Sequence, residues 1–162
     1  MENIVGDGIG LVHLISSCFA LIFGTYVLLA KKGTKQHIQI GYLYVISMGI
    51  LILTALMIYR LFNSWGIFHY TTLLSLISIV LGMIPIWTKK PVNKWKYLHF
   101  SFMYWSVIGL YAAFAAEILV RIPETPFFGM VGIATGIIML VGGFFFGINK
   151  AKWINAFEIE KK

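Results

Sequence analysis

Five apolar runs, at about residues 9–30, 38–60, 66–88, 96–120 and 127–148, constrain this 162-residue chain more than any other feature. Each is long enough to cross a hydrocarbon core, which takes ~20 helical residues, and far too long for a barrel strand. Within lipid every backbone N–H and C=O must be paired inside the protein, so runs of this length are helices. Composition points the same way, with 59% of residues hydrophobic and 12% charged, against roughly half and a quarter in soluble domains. A soluble chain of this size lacks the polar surface to enclose so much apolar side chain. The expected fold class is all-α, an integral membrane protein of five transmembrane helices forming a single domain over residues 1–162. Short loops make helices 1 to 4 an antiparallel four-helix bundle. A Gly-rich fifth helix and a tail over 149–162 complete the chain.

Orientation follows from the basic residues. Lys31, Lys32 and Lys35 lie between helices 1 and 2; Lys89, Lys90, Lys94 and Lys96 lie between helices 3 and 4; Lys150, Lys152, Lys161 and Lys162 follow helix 5. Eleven of the thirteen basic residues thus fall on one side, leaving Arg60 and Arg121 on the other. The positive-inside bias makes the lysine side cytoplasmic and the N-terminus external. The net charge of +7 is a topology signal; the lysines form no basic stripe of the kind that binds nucleic acid. Anionic lipid is the partner expected at that face. The acidic leader MENIVGDG, without a small-residue cleavage site, marks helix 1 as a permanent span. Cys18, the single cysteine, is expected to pack within it. Pro85 and Pro91 are expected to terminate helix 3.

Helix 5 carries Gly129, Gly132, Gly136, Gly142, Gly143 and Gly147. The Gly132/Gly136 and Gly143/Gly147 pairs have the small-xxx-small spacing that lets backbones approach. Packing against the bundle and a homodimer seam are both open readings.

Each of helices 1 to 4 carries one histidine near an end, and helix 5 carries none. The topology places His13 and His69 near the outer face, and His37 and His99 near the cytoplasmic face. Each pair comes from alternate helices, which are diagonal partners in a four-helix ring. Axes packed at ~8–10 Å give diagonals of roughly 11–14 Å, a span that two imidazoles and a metal centre bridge. Bis-histidine haem b in a bundle core has this geometry. His13 with His69 would hold an outer haem and His37 with His99 an inner one, giving transmembrane electron transfer. Arg121 or Arg60 outside, and Lys32, Lys35, Lys94 or Lys96 inside, would partner the propionates. Gly41, one turn after His37, would leave room for the macrocycle.

Helix 4 adds Glu117, eighteen residues after His99. At ~100° and ~1.5 Å per residue the two share one face about 27 Å apart, so Glu117 joins the level of His13 and His69. A carboxylate inside a membrane helix is a functional candidate by default, although Glu117 and Arg121 also have the i,i+4 spacing of a simple ion pair. His13, His69 and Glu117 together are the donor set of a catalytic zinc, and so of a membrane hydrolase. A carrier or assembly factor using these groups as relays is the third class. The sequence has no phosphate-binding glycine loop, HExxH, GxSxG or CxxC motif.

The stretches GTYVLLAKKGTKQHIQIGYLYVISM, FHYTTLLSLISIVLG and LHFSFMYWSVIGLYAAFAAEILVRIP resemble the small bacterial membrane proteins grouped as domain of unknown function 2306, over most of residues 10–123. That resemblance implies a bacterial inner-membrane location and no particular reaction. The arrangement of two histidine pairs at two depths is similar to dihaem transmembrane cytochromes b of the ascorbate-reducible type, which implies two haems in helices 1 to 4.

Overall fold

In a computed structural model, residues 7–59, 63–122 and 126–159 are described, without the side chains of 156–159. Five helices run through them: α1 (Gly8–Leu29), α2 (Lys35–Met57), α3 (Ile67–Thr88), α4 (Trp95–Leu119) and α5 (Phe127–Ile159). All five are long and apolar enough to cross a membrane, and no strand occurs among the described residues.

The helix ends follow local chemistry. Asp7 caps α1, its Oδ1 accepting from the Gly10 N–H at 2.7 Å. At the other end the Lys32 ammonium donates to the carbonyls of Val27, Leu28 and Ala30 at 2.7, 2.7 and 3.1 Å, placing a cation on the negative end of the helix dipole. Partial burial there pulls this amine below its ordinary 10.5. Gly33, at φ +78°, makes the left-handed turn that a side chain would strain. Thr34 then caps α2 by accepting from the His37 N–H at 3.1 Å. The helix therefore begins at Lys35, earlier than the apolar run, because its first turn is polar.

Pro85 does not terminate α3. It lies inside the last turn, and its carbonyl accepts from Lys89 N–H at 2.9 Å. Pro91 instead opens the next element, its carbonyl accepting from Lys94 and Trp95 N–H at 2.9 and 3.0 Å. Cys18 lies on an exposed face and does not pack in the interior.

The chain divides into two compact units, with the boundary inside α3 between Ile77 and Ser78. In the first, α1 packs against α2 around Ala20, Val27, Tyr44, Met48, Leu51 and Ile52. This unit also buries Ser16, Ser47, Thr54 and His69.

In the second, α4 packs against α5. Val107, Leu110, Ala112 and Ala116 line the covered face of α4, with Val131 and Ala134 buried on α5. A Cβ on Gly142 would come within 2.7 Å of Ile108 Cγ2, so the helices approach closely there, and the Tyr104 hydroxyl donates to the Gly142 carbonyl at 2.8 Å. By contrast a Cβ on Gly132, Gly136 or Gly147 would meet nothing within 4 Å. The helix α5 continues well beyond residue 148 because Trp153 docks on Phe100, Tyr104 and Phe146 at centroid distances of 4.6, 5.8 and 5.7 Å.

Candidate functional site

Three of the four histidines are held by hydrogen bonds that decide which ring nitrogen carries the proton. On α1, His13 Nδ1 lies 3.1 Å from Thr54 Oγ1 of α2. The single hydroxyl proton of Thr54 goes back to the Ile50 or Leu51 carbonyl, at 2.9 and 3.0 Å. The hydroxyl therefore accepts from His13, Nδ1 carries the ring proton, and Nε2 keeps its lone pair.

His99 is set in the same tautomer by a different element. Its Nδ1–H donates to the Gly82 carbonyl at 2.8 Å, from α4 to α3. Met103 follows His99 by one turn of α4 and rests on the same spot, since a Cβ on Gly82 would fall 2.7 Å from its Sδ. The absence of a side chain at Gly82 thus lets α4 approach close enough for the ring to reach the carbonyl. Ligating histidines are oriented in this way, with Nδ1–H on a carbonyl and Nε2 presented as the donor atom.

His69 is arranged oppositely. It lies in the first turn of α3 and is 5% exposed. Its Nδ1 accepts the backbone N–H of Gly66 at 3.2 Å, so the neutral ring carries its proton on Nε2. That Nε2 is buried and has no hydrogen-bond partner among the described residues. Tyr59 and Trp65 stack on the ring, at centroid distances of 5.0 and 5.3 Å and interplanar angles of 28° and 25°. A ring in this state offers a metal no lone pair at Nε2, so His69 does not fit the role of an axial or zinc ligand.

His37 is half-buried behind the Thr34 cap. Glu117 is half-buried in the last turn of α4, and Arg121 is exposed in the turn that follows. Arg60 lies outside the described residues. His13, His37 and His69 belong to the first unit and His99, Glu117 and Arg121 to the second. Among the described residues no group of three or more His, Cys, Asp or Glu is placed to hold a metal ion. Thr54 and Gly82 are the contributors that sequence reasoning passed over. Gly82 carried a signal, as a glycine inside an apolar helix marks a close approach.

The family model described as a predicted membrane protein, domain of unknown function 2306, matches residues 10–149. The chain belongs to this family. The domain of unknown function 2306 region takes in all four histidines together with Thr54, Tyr59, Trp65 and Gly82, and ends within α5. No curated protein and no solved structure matches the chain.

Proposed function

We propose that this chain is a b-type haem protein of the bacterial inner membrane that passes electrons, with His99 as an axial ligand. The observation that carries the reading is the 2.8 Å bond from His99 Nδ1–H to the Gly82 carbonyl. It holds the ring, selects the tautomer and makes Nε2 a better donor, all of which a ligand requires. The haem would supply a one-electron couple tuned by its axial imidazoles. Lys94 and Lys96, which precede His99 in the chain, are the cations suited to propionates, whereas Lys32 is already turned toward α1. The lysine distribution supports an external N-terminus and a cytoplasmic C-terminus.

This reading narrows two expected haems to one, because the proton on His69 Nε2 leaves His13 without its expected partner ligand. Protein purified in mild detergent after expression with ample haem should show a Soret band and a sharp reduced α band, at one haem per chain. His99→Ala should abolish both bands. A colourless wild-type protein would overturn the proposal, and two haems per chain would overturn the narrowing.

A further inference from the structure

The His69 ring is built as a hydrogen-bond donor whose acceptor is not among the described residues. Its Nδ1 is taken by the Gly66 N–H, which forces the remaining proton onto Nε2. The residue is only 5% exposed, and its buried Nε2 has no partner among the described residues. An unpaired buried donor is costly in a protein interior, and more so where the surroundings are hydrocarbon. Tyr59 and Trp65 hold the ring by its face, so it cannot turn to find an acceptor without breaking two stacks and the Gly66 bond. The same two residues remain 41% and 48% exposed, and Tyr70, edge-on to Trp65 at 6.1 Å, is 63% exposed. Amphipathic rings with one side buried and the other open collect at the level of lipid headgroups. A buried Nε2–H flanked by open ring faces suits an acceptor oxygen carried on a body apolar enough to lie against those rings.

We propose that the Tyr59–Trp65–His69 cluster is a binding site for a membrane-soluble carbonyl compound, whose oxygen accepts the His69 Nε2–H. The carbonyl belongs either to the ring of a quinone or to the ester of a phospholipid. The cluster is independent of the haem reading, as it uses neither His99 nor His37.

Two sets of measurements test it. In nanodiscs containing nitrogen-15 histidine-labelled protein, the His69 Nε2–H resonance, assigned through His69→Gln or His69→Phe, is followed under two changes. One adds decylbenzoquinone; the other replaces ester-linked by ether-linked phospholipid. A shift on adding the quinone identifies the quinone ring, and a shift on removing ester carbonyls identifies the lipid. A resonance that moves in neither case overturns the proposal. If the quinone shifts the resonance, its equilibrium binding should weaken about tenfold in His69→Phe, which keeps an aromatic ring for the stack and removes the donor. His69→Gln, which keeps a side-chain N–H, should recover part of that loss. Unchanged affinity in a folded His69→Phe protein would overturn the assignment. The wild-type resonance carries the test if either variant fails to fold.

Discussion

Among the described residues the first unit buries more hydroxyls, with an imidazole, where the second interlocks four aromatic rings beside a close helix approach at a glycine. Of the buried polar residues among those described, Ser16, Ser47, Thr54 and His69 belong to the first unit and Ser106 to the second. In the second unit Phe100, Tyr104, Phe146 and Trp153 interlock, and the Tyr104 hydroxyl is satisfied by the Gly142 carbonyl. Both units use helices of similar apolar character. The contrast teaches that polar groups inside membrane helices are accepted for what they position, while association comes from close fit, since burying apolar surface gains little against lipid.

That contrast is broken most severely through Trp153. Trp153→Ala removes the ring that holds the end of α5 on α4, and should cost roughly 2–3 kcal/mol, below a fully buried tryptophan because the ring is half-buried. Thermal unfolding in detergent should show it, with protease cleavage appearing in the last turns of α5. A glycine pair gives effects of opposite sign. Gly142→Ala should destabilise by about 1 kcal/mol, because overpacking against Ile108 exceeds the gain in helix propensity. Gly132→Ala, with open space around it, should be neutral or stabilise by up to about 1 kcal/mol. Equal responses from the two would remove the case that close approach sets the α4–α5 seam. The smallest effect belongs to the first unit. Thr54→Val keeps the shape and removes the acceptor for His13, and should cost about 0.6 kcal/mol, the mean for hydrogen bonds between membrane helices. A loss of several kcal/mol would mean that the buried polar groups hold the first unit together.

The five helices were legible because hydrocarbon thickness and backbone pairing leave a long apolar run no other structure. Their ends were less so. Lys35, Gln36 and His37 are polar yet helical because Thr34 caps them, and Pro85 sits where its missing N–H falls inside a final turn. The length of α5 was written in Phe146 and Trp153, seven residues apart on one face, but only contact with Phe100 and Tyr104 makes that spacing a seam.

Sequence also picked out the histidines, though not their roles. His13 depends on Thr54, forty-one residues away, through the register of α1 on α2. His69 depends on a backbone N–H three residues earlier, which no side-chain pattern records. The stacking of Trp65 on His69 appears only once the loop before α3 is placed.

The opposite tautomers of these rings carry both the haem assignment and the carbonyl site. Nitrogen-15 spectra of the histidine rings in nanodiscs, prepared without added haem or quinone, report directly which nitrogen is protonated. The account predicts Nδ1–H for His13 and His99 and Nε2–H for His69 at neutral pH. Finding His69 protonated at Nδ1, or His99 at Nε2, would contradict it.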